Sequence, residues 1–302
     1  MARRAFLLLI GFTLISLSLL ALGVRPLPAR AAAPFPLTLT DDLGRTVTLA
    51  SPPRRIVSLA PSVTELLFAL GVGDRVAGVT RWCDYPEAAR KLPKVGDLTL
   101  SEERIAALRP DLIVGDGSLE RPFLDRLAKL GWPVLAVQPR RVADVAHALT
   151  LLGRAVGVPE AGEKAAREYR DRLAKLTAEG AKAARRPGGP VRVFVWLDPD
   201  GLYTAGPGTF LDELITLAGG RNIAGKAATP WPLLSEEALL LADPEVIVVT
   251  PFPREIALGK PRWQGITAVR AGKVYQVDPD LLSRPGPRLL DGLQALIAAI
   301  RG

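Results

Sequence analysis

The chain has one cysteine, one histidine and only 6% aromatic residues among 302. A lone Cys83 cannot close an intrachain disulfide. It reads as a small buried hydrophobe or as a free thiol near a site. A lone His147 argues against a His-rich zinc or manganese centre and leaves a Ser-His-Asp triad a single possible base. His147 lies in DVAHALTLLG, a helical context, and is expected on a helix face. No basic stripe interleaved with aromatics is present, so nucleic acid is not an expected partner. The densest basic cluster, Lys182, Arg185 and Arg186, adjoins Pro187-Gly188-Gly189-Pro190 and reads as a solvated helix end. No catalytic constellation and no metal-ligand cluster stands out, and no resident cofactor is expected.

Long apolar runs are equally scarce. The only one of spanning length is Ala5–Val24, preceded by Arg3 and Arg4 and followed by Ala29-Arg30-Ala31-Ala32-Ala33. Charged start, apolar middle and small-residue exit make residues 1–33 a secretory signal peptide, with a mature N-terminus expected between Ala32 and Pro34. The competing reading is an uncleaved anchor, because the run approaches the length that crosses a bilayer. No cysteine stands at the exit, so a lipid anchor is not supported. Residues 1–33 hold four arginines and no acid, so they carry half of the formal +8 charge.

What the chain does contain is a repeat. Ser101–Val114 reads SEERIAALRPDLIV and Ser235–Val248 reads SEEALLLADPEVIV, in gapless register. Upstream of each lies a second echo, TELLFALGVGDRVAG at Thr64–Gly78 and DELITLAGGRNIAG at Asp212–Gly225. Two long units in the same order imply two lobes of like build with a cleft between them, not a solenoid of many short repeats.

Short apolar strands alternate with amphipathic helices in both halves, which predicts parallel α/β layers. Strands are expected at Arg55–Leu59, Val76–Val79, Pro133–Val137, Val191–Val195, Val246–Val249 and Val274–Val277. A hairpin is expected over Pro36–Leu49. Between the halves, Val142–Arg186 reads as one helical stretch broken only near Gly157-Val158-Pro159. The resulting domain plan is a signal at 1–33, an N-terminal lobe at 34–141, a linking helix at 142–186 and a C-terminal lobe at 187–302. A helical link is stiff, so large hinge motion is not expected.

Because aromatics are few, their placement carries weight. Tyr85 precedes Pro86, and Trp231 stands between Pro230 and Pro232. Neither fits inside a helix or a central strand. Each is placed on a stiff loop, one per half, either as a platform for a large ring-bearing ligand or as a plug for its own core. Gly206-Pro207-Gly208-Thr209, with Asp212 following, reads as a capping box in preference to an anion site. Glu103 and Glu237 each follow a serine that can cap a helix. They are either first-turn acids or a matched pair that docks on basic residues of a partner.

TDDLGRTVTL, RIVSLAPSVTELLFALG, CDYP, ERIAALRPDLIV, PWP and SRPGPR occur in that order. In this order they resemble the periplasmic substrate-binding proteins of ABC importers, of the long-helix-linked class that carries cobalamin, ferric siderophores and haem. CDYP together with PWP is most similar to the cobalamin binders. The resemblance implies an α/β fold of two similar lobes with central parallel sheets joined by one long backbone helix. It implies a monomer that binds and does not catalyse, and hands a small-molecule ligand to permease subunits outside the cytoplasm. It implies that Tyr85 and Trp231 flank a corrin, that Asp280 lies near the far cleft wall, and that Glu103 and Glu237 contact permease arginines. The chain departs from cobalamin binders that carry further tryptophans, having Leu98 and Asp116 there. Asp116 and Arg81 suit a more polar ligand. A ferric complex or haem gripped by Arg81, Tyr203, Arg284 and Arg288 is the alternative cargo, and a chelatase-like enzyme is the alternative class.

Overall fold

The computed structural model describes residues 35–97, 99–118 and 120–302. The expected signal at 1–33 lies outside them, as does Leu98. An antiparallel hairpin, β1 (Leu37–Thr40) and β2 (Thr46–Leu49), opens the described chain. Its turn is held by Asp41, whose Oδ1 accepts the Leu43 and Arg45 N–H groups at 3.0 and 2.8 Å. The first half continues through β3 (Ile56–Ser58), α1 (Pro61–Ala69), β4 (Val76–Val79), α2 (Glu87–Arg90) and α3 (Glu102–Ala107). It ends with β5 (Leu112–Asp116), α4 (Arg121–Lys129) and β6 (Val134–Val137). Two helices follow, α5 (Val145–Ala155) and α6 (Pro159–Ala184). The second half runs β7 (Val191–Trp196), α7 (Phe210–Leu217), β8 (Gly220–Asn222), α8 (Glu236–Ala242) and β9 (Val246–Val249). It closes with α9 (Glu255–Leu258), α10 (Thr267–Arg270), β10 (Val274–Gln276), α11 (Pro279–Ser283) and α12 (Leu289–Arg301).

Each half builds one four-stranded parallel sheet. The strand orders are β4-β3-β5-β6 and β8-β7-β9-β10, the same second-first-third-fourth arrangement. The sequence repeat is therefore a repeat of topology. Alternation along each strand sorts the side chains by face. Ile56, Leu112 and Val114 of the first sheet, and Val193, Val195, Val246 and Val248 of the second, turn toward a common core with α1, α5, α6, α7 and α12. The opposite faces carry Val57 and Ile113 in one lobe and Phe194, Trp196, Ile247 and Val249 in the other, each in a separate core.

The helical stretch between the sheets is two helices, separated where Gly157 adopts φ +77° and Pro159 begins α6. They pack at Gly153 and Gly162, where a Cβ on Gly153 would stand 2.7 Å from the Gly162 Cα. At its other end α6 meets the close of α7, where a Cβ on Gly180 would stand 1.9 Å from the Leu217 carbonyl oxygen. Only glycine allows both approaches. The 26-residue α6 thus packs on α5 at one end and on α7 at the other, and Tyr169 ties its middle to the Val142 carbonyl at 2.9 Å. Among the described residues, no helix is long and apolar enough to cross a membrane.

Candidate ligand-binding site

In an open parallel sheet the carboxyl ends of the strands flank a crevice where the strand order reverses. Here β3/β5 and β7/β9 are those pairs, and residues beyond β5, β6, β7 and β9 line one cavity of about 580 Å³. Ser118, beyond β5, lines it with Pro139 and Arg140 of the first half. Leu197 beyond β7, and Thr250 and Pro251 beyond β9, line it with Phe210, Trp231 and Leu282 of the second. Its volume is that of an ordinary small-molecule site.

Local chemistry explains how the walls are held. The Trp231 loop is pinned by N–H donation from Gly206 to the Pro230 carbonyl (2.8 Å) and from Thr204 to the Pro232 carbonyl (3.1 Å). Trp231 itself is 60% exposed, so it is not a plug for its own core. Thr209 caps α7 by accepting the Asp212 N–H at 3.1 Å, and donates to the Gly206 carbonyl at 2.9 Å. The expected capping box is only half formed. The Asp212 carboxylate turns away to accept from Asn222 Nδ2 at 2.8 Å. This cap sets Phe210 as the first residue of α7, on the cavity wall. The Thr250 hydroxyl is buried and has no hydrogen-bond partner among the described residues.

Beside the cavity, charged groups from both halves meet. Glu65 of α1, whose side chain is 1% exposed, accepts from Arg288 Nε at 3.0 Å and Nη2 at 2.7 Å. Arg284 Nη1 lies 2.6 Å from Asp84 and 3.4 Å from Glu65, and its Nη2 lies 2.8 Å from Asp280. Three carboxylates thus enclose two guanidinium groups. Burial alone would lower Arg284, but the Asp84 hydrogen bond and the surrounding acids outweigh it and hold the group more firmly protonated than usual. Burial pushes the Asp280 carboxyl up, against the pull of Arg284.

The residues singled out in the sequence divide by place. Tyr85 is 46% exposed, and the Arg288 guanidinium stacks over its ring with Cζ 3.9 Å from the centroid. Tyr85 and Asp280 therefore belong to the charged cluster, and Trp231 to the cavity wall. Tyr203 is exposed and pairs by backbone with Leu233 beside the Trp231 loop. Arg81 lines a separate hollow with Lys94 and Arg104, 3.9 Å from Asp97. Asp116 is buried at the end of β5, accepting from the Ser118 N–H at 2.8 Å. Next to it, burial pushes the Glu120 carboxyl up to about 8; the Asp116 N–H opposes the shift and the Asp116 charge adds to it. Cys83 is buried, which pushes its thiol up and makes it inert packing. His147 is on the face of α5, 3.0 Å from Asp42. Among the described residues no cluster of three or more His, Cys, Asp or Glu could hold a metal.

Sequence reasoning passed over Phe210 and Glu65. The Gly206–Thr209 turn was the signal for the first. An acid inside the apolar PSVTELLFALG run was the signal for the second.

The two Ser-Glu-Glu units are built alike. Ser101 and Ser235 cap α3 and α8 by accepting the Arg104 and Ala238 N–H groups at 3.2 and 3.1 Å. The first acid of each pair has an arginine within its own half, Glu102 with Arg126 and Glu236 with Arg262. The second acid, Glu103 or Glu237, is exposed. Glu103 accepts from the Ser101 hydroxyl at 2.8 Å, while Glu237 lies 3.4 Å from Arg262.

Two duplicated lobes, a stiff helical link and a cavity walled by both halves define a receptor that captures a small molecule. The chain belongs to the periplasmic binding protein family, whose model matches residues 56–281. It is 33% identical over 271 residues to an uncharacterized ABC transporter substrate-binding lipoprotein, YvrC, of Bacillus subtilis (strain 168), covering 88% of this chain and 86% of that one. The crystal structure of the periplasmic vitamin B12 binding protein BtuF of Vibrio cholerae matches with a TM-score of 0.74 and 32% identity, over 83% of this chain and 97% of that one. A periplasmic heme binding protein from Pseudomonas aeruginosa matches with a TM-score of 0.71 and 32% identity, over 82% and 92%. Membership in a family of binding proteins sets aside the chelatase-like enzyme.

Proposed function

We propose that this protein is an extracytoplasmic receptor that captures a corrinoid between its lobes and delivers it to an ABC permease. The observation that carries the choice of cargo is the charged cluster. A haem or a ferric siderophore presents anionic groups that need spare cations. Arg284 and Arg288 are enclosed by Glu65, Asp84 and Asp280. A corrinoid presents amides and a broad ring, which the apolar wall of Trp231, Phe210 and Pro251 suits by stacking and contact. Likeness to a vitamin B12 binding protein supports the same reading. Residues 1–33 act as the export signal in this account.

Native mass spectrometry with cobalamin, cobinamide, haem and ferric siderophores tests it. Retention of corrinoids in preference to the others is expected. Retention of haem alone would shift the reading to a haem receptor, with Arg140 of the cavity wall as the cation.

Glu103 and Glu237 are the docking pair in this account, outward acids at matching places in two like lobes. A permease of two equivalent subunits offers each basic site twice. The double substitution Glu103→Arg and Glu237→Arg should abolish transport while leaving ligand affinity unchanged. Transport at the unaltered rate in low salt would remove the docking role.

A further inference from the structure

We propose that Arg288, oriented by Glu65, is a positioning residue that reaches from the second half to hold the Tyr85 ring in the orientation the ligand meets. This rests on the corrinoid reading for its consequence, though not for its geometry. Tyr85 is 46% exposed, and an exposed ring on a loop is ordinarily free to change rotamer within nanoseconds. Here a guanidinium sits over it, with Cζ 3.9 Å from the centroid. That guanidinium cannot wander, because Glu65 takes its Nε and Nη2 as a fork, at 3.0 and 2.7 Å. Glu65 cannot wander either. Its side chain is almost fully buried, and its Oε1 also lies 3.4 Å from Arg284 Nη1.

The chain of contacts has a direction. A buried acid of α1 fixes an arginine at the start of α12, and that arginine fixes a ring on the loop after β4. Tyr85 belongs to the first half and Arg288 to the second, so the orientation of the platform depends on the two halves keeping their relative place. Pre-setting a ring removes an ordering cost at binding. A cation over one face of the ring leaves the other face for the ligand.

Two measurements on the full chain test this. With ring-labelled tyrosine, the Tyr85 resonance is assigned by Tyr85→Phe and followed without any ligand. Arg288→Met should move that resonance and leave Tyr203 in place; Arg288→Lys, which keeps a cation, should move it less. An unmoved Tyr85 resonance in Arg288→Met overturns the placement whatever the protein binds. Cobinamide and cyanocobalamin affinities are then compared for Arg288→Met, Tyr85→Leu and the double variant. Arg288→Met should weaken binding about 3- to 10-fold, and should add nothing in the Tyr85→Leu background. Independent, multiplying losses would mean that Arg288 acts other than through Tyr85. A wild-type chain that binds neither corrinoid would overturn the cargo reading, and the resonance would still decide the positioning claim. If Arg288→Met fails to fold, Glu65→Gln and Arg288→Lys carry the same two readouts.

Discussion

The two lobes share a frame and differ in their filling. The frame is conserved down to its oddities. The non-glycine residues with positive φ, Arg109 at 46° and Asp243 at 39°, occupy equivalent turns, each before a proline and a strand. Two residues on, the Asp111 carboxylate accepts the Arg54 and Arg55 N–H groups at 2.8 Å, and Glu245 accepts that of Arg192 at 3.1 Å. In both lobes an acid thus secures the entry to the first strand. The acid in the helix after that strand is shared too, and reaches across the cleft in each direction. Glu65 of α1 holds Arg288, at the start of α12, while Glu213 of α7 accepts the Val142 N–H, just before α5, at 2.8 Å. Each lobe therefore ties down the helix that follows the other lobe's sheet.

The filling diverges. The buried core on the outer face of the first sheet is aliphatic, with Val57, Ile113, Leu124 and Leu127, and Phe123 and Trp132 pack only at its margin. That of the second is aromatic, with Trp196 4.6 Å from Phe252 and 4.8 Å from Trp263 by ring centroids. The second lobe also supplies most of the apolar cavity wall, and the first supplies Tyr85 and two of the three clustered acids. The lesson is that duplication kept the backbone supports and let side chains specialise into an apolar wall and a charged edge.

The comparison breaks most visibly in the aromatic core. Trp263 is fully buried between Phe194 and Trp196, and its indole N–H donates to Glu236 at 2.9 Å. Trp263→Ala should cost about 3–5 kcal/mol of stability, read by denaturant unfolding. The exposed Trp231 should behave oppositely. Trp231→Ala should leave the unfolding midpoint unchanged and weaken corrinoid binding by about 1–3 kcal/mol, read by titration calorimetry.

A smaller effect sets the first lobe apart by pH. A free glutamate loses its proton near 4.5, and Glu120 keeps its own to about 8. Between those values the folded chain binds one proton more than the unfolded chain. Stability therefore falls as pH rises through that window, by less than about 1.4 kcal/mol per pH unit, and levels off above it. Glu120→Gln should flatten this slope in thermal unfolding followed across the window. An unchanged slope would assign it to other groups.

Much of the frame was legible because periodicity and punctuation are local. Strand alternation, the Ser caps of α3 and α8 and the Pro-bounded loops of Tyr85 and Trp231 can each be read within a few residues. The charged edge was not, because Glu65 meets partners 219 and 223 positions away, and an acid in an apolar helix gives no sign of which arginine it faces. The same distance made Arg284 and Arg288 look available to a ligand when the fold has already enclosed them. The positive φ at Arg109 and Asp243 was hidden as well, since neither is a glycine.

The most direct test of the account is a crystal structure of the chain grown with cobinamide. The ligand should lie in the cavity between the lobes, its ring against Trp231 and facing Tyr85, with Arg284 and Arg288 still held by Glu65, Asp84 and Asp280. A ligand seated instead in the Arg81, Lys94 and Arg104 hollow, or one that has drawn Arg284 or Arg288 away from its acids, would contradict it.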